Sequence, residues 1–395
     1  MSSSQPSSLP HPLSLLPHIT PPLLVSAPML NISLSDLSFS VTLAGGLGFL
    51  SAGYDASGLE KELQKVEDMI INIHDDDNNN NEEENNDDDD DAEDFERSKK
   101  IKKTYLETGI LPIGVGFLNW GANLDTALKI LQNHPVLAVW LYAPHAISDL
   151  QPWISGIRNL ADKQPPQIWI QVGSVTLAHH ARTLLHPDIL VVQGTDAGGH
   201  GLTQGASVIT LIPEVLDDDD VRQRTPVIAA GGIVDGRAVA ACLTLGASGC
   251  VMGTRFLGSQ EAVVRAGYRR EILRVSDGGQ TTRRSKVYDH ARGIYGWPAE
   301  YDGRGVVNRS YVDAVEKGVD EGEIKRLYEE AVVKSTDNLS ESESAEEGWG
   351  PEGRLCTYAG TGVGLVREVK GAGEIVREVR REAVECLTRT VQRFA

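Results

Sequence analysis

The stretch Pro226-Val-Ile-Ala-Ala-Gly-Gly-Ile-Val-Asp-Gly236, followed one unit later by Gly249-Cys-Val-Met-Gly-Thr-Arg-Phe256, decides how this chain reads. In each, a short aliphatic run ends in glycine and leads into a helix-forming stretch. Short runs rich in β-branched or aliphatic residues, without strict alternation, fit strands buried on both faces. Counting outward along the chain, the runs are 24–28, 47–51, 112–117, 136–142, 167–172, 189–193, 226–230 and 249–252. Most are followed by a helical pattern. Leu124, Leu128 and Leu131 share one face of such a stretch, and Val239, Cys242 and Leu243 lie close together on another. Eight β–α units in order predict an α/β fold, a closed (β/α)8 TIM barrel, over its rival, an open doubly wound sheet. The count reaches eight, and the glycines cluster at the C-terminal ends of the runs, where a barrel builds its site.

Those glycines carry the first chemical signal. Glycine lets the backbone approach an anion closely, and a helix N-terminus adds free N–H groups and a favourable dipole. Gly231 and Gly232 follow the seventh run, and Gly253 with Thr254 follows the eighth. Barrels often bind a phosphate between these two loops. One glycine pair alone reads as a tight turn, but the tandem at these positions favours phosphate. After the sixth run comes Gly194-Thr-Asp-Ala-Gly-Gly-His-Gly201. This loop sets His200 at the barrel mouth, where imidazole suits proton transfer or a hydrogen bond to a developing negative charge. The plainer readings are a solvated loop histidine and, for Asp196, a turn former. Ala27-Pro-Met29 closes the first run, and Ala44-Gly-Gly-Leu-Gly48 leads into the second.

These segments together resemble the nitronate monooxygenase family, formerly called 2-nitropropane dioxygenases. Pro112-Ile-Gly-Val-Gly116, Gln171-Val-Gly-Ser174 and Met252-Gly-Thr-Arg-Phe256 complete a match over about residues 22–261. It continues more weakly through Val287-Tyr-Asp-His-Ala-Arg-Gly293, Gly296-Trp-Pro298, Gly303-Arg-Gly305 and Tyr358-Ala-Gly360. The resemblance implies an FMN-dependent barrel enzyme that oxidises alkyl nitronates with O2 to a carbonyl compound and nitrite, with no metal. By position, Gly231, Gly232, Gly253 and Thr254 would hold the FMN phosphate. Ala27, Met29 and Gln171 would border the flavin, with Gly198 approaching it. His200 matches the family's active-site histidine. It would orient the anionic substrate or remove an α-proton from a neutral nitroalkane. The family loop commonly has Glu where this chain has Asp196, and the asparagine nearest the third run's glycine is Asn119. An NAD(P)H-dependent quinone or enoyl-thioester reductase on the same barrel is the alternative, although no GxGxxG fingerprint stands out. A non-enzymatic flavin-binding protein is a further one, against which the histidine and both glycine turns count.

The 395 residues carry a net charge of −19, but the acidity is local. Residues 75–96 hold 14 acidic side chains and 335–353 hold six, neither with a Lys or Arg. The remainder is near neutral and has no basic stripe, which argues against nucleic-acid binding. Both acidic stretches are expected to be solvated and disordered. The expected organisation is a Ser/Pro tail over 1–20, a barrel over 21–257 with an acidic insertion at 72–100, a mostly helical cap over 258–334, an acidic loop at 335–353, and helices over 354–395 that return to the barrel. No signal peptide, presequence or membrane-length apolar run is visible. The four cysteines form no CxxC pair, so a reduced cytoplasmic protein is expected. No His/Cys/carboxylate set has zinc spacing. His179 and His180 are adjacent, so on a helix they face apart. The expected partners are a small-molecule nitronate and O2, with no nucleic acid and no membrane.

Overall fold

A computed structural model describes residues 18–73, 89–160, 164–337 and 348–394. Most of the Ser/Pro tail and the centres of both acidic stretches therefore lie outside the described residues. The strands are β1 (Leu23–Ser26), β2 (Phe49–Gly53), β3 (Leu111–Leu118), β4 (Val136–Tyr142), β5 (Gln167–Val172), β6 (Ile189–Gln193), β7 (Gly199–Leu202), β8 (Val227–Ala230), β9 (Gly249–Met252), β10 (Thr282–Ser285) and β11 (Tyr301–Val306). Eight of these pair in parallel in the order β1-β9-β8-β6-β5-β4-β3-β2, and they are the eight runs expected from the sequence. The two ends of the sheet meet at Leu47, which bridges Val25. Leu47 N–H donates to the Leu24 carbonyl at 2.9 Å, and Ser26 N–H donates to the Leu47 carbonyl at 3.2 Å. The result is a nearly closed barrel of the TIM type.

The apolar runs lack polar alternation because both strand faces are covered. Leu23, Val25, Phe49, Trp140, Trp169, Val191, Ile228 and Val251 form a buried cluster inside the barrel. Their neighbours along the strands, such as Leu24, Leu50, Val139, Ile170, Leu190 and Ala229, belong to a second cluster under the helices. Three aromatic rings fill the interior. Phe49 lies 5.1 Å from Trp140 and 5.0 Å from Trp169, and the indoles lie 6.0 Å apart. Their N–H groups are satisfied locally: Trp140 donates to Gln171 Oε1 at 3.0 Å and Trp169 to Gln167 Oε1 at 3.1 Å.

Two expectations need correction. The acidic insertion does not run as a loop through 72–100, because Asp89–Thr108 is a helix. Arg97 anchors it. Buried to 8% exposure, Arg97 donates to the Leu43 carbonyl at 2.9 Å and to Thr20 Oγ1 at 3.1 Å, and it pairs with Glu93 and Asp94. Asp94 also pairs with Arg377 of the C-terminal helix. Part of the acidic run is thus tied to the body. The second acidic stretch likewise begins inside the helix Glu321–Asp337.

Segment 258–334 holds helices such as Ala266–Arg274 and Val287–Ala291, and it also contributes β10 and β11. These form an antiparallel sheet in the order β10-β11-β7, with β7 drawn from the glycine loop. Its strands carry Arg and Gly in place of β-branched residues, so hydrophobic pattern gives no sign of them. At the C-terminus the helix Ala372–Gln392 buries Ile375, Val376, Val379 and Ala383 against the barrel's outer ring.

The closing loop before β2 tolerates no side chain at residue 48. A Cβ on Gly48 would lie 1.8 Å from the Ser38 carbonyl oxygen, which belongs to a helix backbone. Gly48→Ala is therefore expected to cost about 2–3 kcal/mol of stability through overpacking, measured by denaturant unfolding. An unchanged midpoint would contradict this close approach.

Candidate active site

Because aromatic rings fill the barrel, the open space lies above them. A cavity of about 240 Å³ sits at the C-terminal ends of the strands. Ala27, Met29, Gln171, Gly198, His200, Gly231, Gly232, Gly253 and Thr254 all line it. The structure thus brings every site residue read from the sequence to one cavity. Asp196 and Asn119 have other tasks. Asp196 accepts from the Thr361 hydroxyl at 3.1 Å and its carbonyl accepts from Thr361 N–H at 3.0 Å, tying the C-terminal segment to the glycine loop. Asn119 Oδ1 accepts from Tyr142 N–H at 2.7 Å.

On one side, the turn after β8 has two consecutive left-handed residues, Gly231 at φ 105° and Gly232 at φ 78°. A Cβ on Gly231 would lie 2.7 Å from the Gly194 carbonyl oxygen, so glycine is required twice over. The helix that follows, Gly236–Thr244, does not offer the open N-terminus expected from the sequence. Asp235 Oδ1 accepts from Ala238 N–H at 3.1 Å, and Glu382 Oε2 from the C-terminal helix accepts from Gly236 N–H at 2.9 Å. Two carboxylates already use that helix end.

The donors left for an anion are nearer the cavity. The N–H groups of Gly232, Gly253 and Thr254 make no hydrogen bond among the described residues. Thr254 Oγ1 accepts from Gly360 N–H at 3.0 Å, which leaves its own proton to donate. Gly253 is not demanded by the protein. Its φ is −109°, and a Cβ would rest 3.6 Å from Ala27 Cβ and 3.8 Å from Met29 Sδ, in ordinary contact. Its bare backbone matters only to what approaches it. At the floor, Gln171 spends its carbonyl on Trp140, and its NH2 has no partner among the described residues. This set of amides, a hydroxyl and an uncommitted carboxamide fits a phosphorylated ring cofactor.

On the other side stands His200, on β7. Its Nε2 lies 2.9 Å from both carboxylate oxygens of Asp289, whose side chain is 3% exposed. The Tyr358 hydroxyl donates to the same carboxylate at 2.9 Å. Trp297 stacks on the imidazole with centroids 3.6 Å apart and planes at 5°. The His200 carbonyl accepts from the Tyr142 hydroxyl at 2.9 Å and from Gln193 Nε2 at 3.1 Å. Burial, above all, pushes both tyrosine phenols up, so they remain protonated donors. Arg292 also lines the cavity and has no ion pair among the described residues. Asp289, Trp297, Tyr358 and Arg292 were not assigned roles from the sequence. All lie in segments of the family resemblance, but nothing local indicates that they face a loop so much earlier in the chain.

The glycine loop is held from behind. Arg284 donates to the carbonyls of Ala197 at 3.1 Å and Thr195 at 3.3 Å and pairs with Asp302 at 3.3 Å, both side chains being 8% exposed. Arg304 donates to the Thr195 carbonyl at 3.1 Å. A flexible loop thereby gains a fixed path. Among the described residues no group of three His, Cys, Asp or Glu side chains is placed to hold a metal ion, and no helix is long and apolar enough to cross a membrane.

Residues 12–296 match the sequence model of the family described as nitronate monooxygenase. The chain is 40% identical over 379 residues to nitronate monooxygenase npaC of Metarhizium robertsii, covering 95% of each. It is 34% identical to the nitronate monooxygenase of Neurospora crassa, covering 95% of this chain and 92% of that one. Among solved structures it is similar to nitroalkane oxidase from Streptomyces ansochromogenes, with a TM-score of 0.65 at 21% identity over 96% of this chain and 99% of the other. FabK from Thermotoga maritima gives a TM-score of 0.63 at 21% identity, over 97% and 98% of the two chains. These structural likenesses show the fold.

The loop clamp makes its own prediction. Arg284→Met leaves Asp302 buried without its cation and should cost about 3–5 kcal/mol. Adding Asp302→Leu should recover part of that loss in a denaturant titration. Equal stability of single and double variants would show that the pair does not hold the loop.

Proposed function

Because the chain belongs to the nitronate monooxygenase family, and is therefore a flavin-dependent oxidoreductase acting on nitronates, we propose that its flavin is FMN, bound at the cavity, and that O2 is the co-substrate that turns an alkyl nitronate into a carbonyl compound and nitrite. The observation that carries this reading is the meeting of two glycine turns, after β8 and β9, with His200 around one cavity. Gly231, Gly232, Gly253 and Thr254 would hold the phosphate, and Ala27, Met29, Gln171 and Gly198 would border the ring. When bound, FMN would supply the electron acceptor.

The chain's own residues supply the rest. A nitronate is planar and carries its charge on the nitro oxygens. Arg292, which puts positive charge at the cavity, and His200 both line it. Aromatic and apolar walls, including Leu118, Trp140 and Trp297, exclude water and strengthen those interactions. The rival NAD(P)H-dependent reductase shares the barrel, but no feature of the site specifically favours a nicotinamide.

The purified protein should be yellow and release FMN on denaturation. Mixed anaerobically with a nitronate it should bleach, and with NADH it should not; the reverse pattern would establish the reductase instead. Gly253→Ala should change unfolding free energy by less than about 1 kcal/mol yet lower flavin affinity, read as FMN content after gel filtration. Retention of full FMN would remove Gly253 from the binding site. His200→Asn should lower turnover of a neutral nitroalkane by ~100-fold or more, in an oxygen-consumption assay. Unchanged turnover would take His200 out of the chemistry.

A further inference from the structure

We propose that Asp289 is a positioning residue that acts through His200: its buried carboxylate keeps the imidazole proton on Nε2 and leaves Nδ1 as the bare acceptor. The proposal rests on the nitronate-oxidising reading of the site. A carboxylate only accepts hydrogen bonds, so the nitrogen 2.9 Å from both its oxygens must be the donor. His200 Nδ1 has no partner among the described residues, and His200 lines the cavity. The ring is held against rotation by Trp297, stacked at 3.6 Å. The carboxylate is itself held by the Tyr358 hydroxyl at 2.9 Å.

The backbone makes room for this arrangement. Gly303 of β11 lies directly opposite His200 in the β7 ladder. A Cβ there would be 2.6 Å from Tyr358 Cε1 and 3.4 Å from His200 Nε2. A side chain at residue 303 would therefore press on both partners of Asp289. Three separate pieces of chain, β7, the helix Val287–Ala291 and the segment at Tyr358, converge on one carboxylate.

The chemical consequence concerns the neutral nitroalkane. The C–H bond next to the nitro group breaks and its proton goes to Nδ1. The electron pair becomes the C=N bond of the nitronate, with the charge on the nitro oxygens. The imidazolium formed is stabilised by Asp289 on one side and pairs through Nδ1–H with the new anion on the other. A preformed nitronate needs no proton removed, so it depends far less on which nitrogen is bare. Loss of Asp289 should therefore separate the two substrates, which a general loss of structure would not do.

The test compares nitroethane with ethyl nitronate in the flavin-loaded protein. Asp289→Asn should lower kcat/KM for nitroethane by ~100-fold or more, and for ethyl nitronate by less than about tenfold. Asp289→Glu should recover part of the nitroethane rate. Equal losses on both substrates, or none, would overturn the proposal. A direct readout in the unmodified protein guards against misfolding of the variants. Nitrogen-15 spectra of labelled histidine, with His200 assigned by His200→Asn, should show the neutral ring protonated on Nε2; protonation on Nδ1 would overturn the proposal. A wild-type protein active on ethyl nitronate but not on nitroethane would refute this proposal alone. Inactivity on ethyl nitronate would refute the functional reading, and this proposal with it.

Discussion

The packing of Phe49, Trp140 and Trp169 inside the barrel is the constraint on which the rest depends. Three large rings within 5.0–6.0 Å of one another leave no room for a ligand between the strands. They also bury indole N–H groups, which Gln171 and Gln167 must satisfy. The floor of the cavity is therefore an indole and a carboxamide whose geometry is set by the core. Apart from that floor, which β4 and β5 supply, what surrounds the cavity comes mostly from the C-terminal rim.

Loops are poor holders of geometry, and this protein compensates by pinning its glycine loop from several sides. Arg284 and Arg304 hold its carbonyls, Asp196 binds Thr361, and β11 pairs with β7. A Cβ on Gly198 would lie 2.3 Å from Gly360 N, so the C-terminal segment rests directly on the loop. The same segment supplies Tyr358 to the Asp289 carboxylate. Tethering of the loop and orientation of His200 are consequently one structural arrangement. Charge follows the same logic: part of the acidic run, seen in sequence as solvated surplus, is drawn into ion pairs with Arg97 and Arg377.

The eight strands and both glycine turns were legible in the sequence because each depends on a local property. Aliphatic runs of four to eight residues mark strands covered on both faces; the Gly231-Gly232 pair marks a turn with positive φ, and Gly253 marks the second turn only by ending a strand run just before a helix. Residues that line the cavity from those turns, such as Gly231, Gly253 and Thr254, follow from their place in the order of strands. β7, β10 and β11 escaped because their sequences, GHGL, TRRS and YDGRGV, are held by register and by arginine contacts.

By itself, then, the sequence determined the barrel, the rim that faces the cavity, and the histidine that stands there. Tertiary structure alone decided what those parts do to one another. His200 meets Asp289 across 89 residues. Glu382 reaches Gly236 across 146 and closes a helix end that the local pattern shows as open. Spacing along a chain reports which side chains share a strand or a helix face. It carries no information about which distant carboxylate will arrive at a given nitrogen, since that depends on how separate elements pack around a filled core.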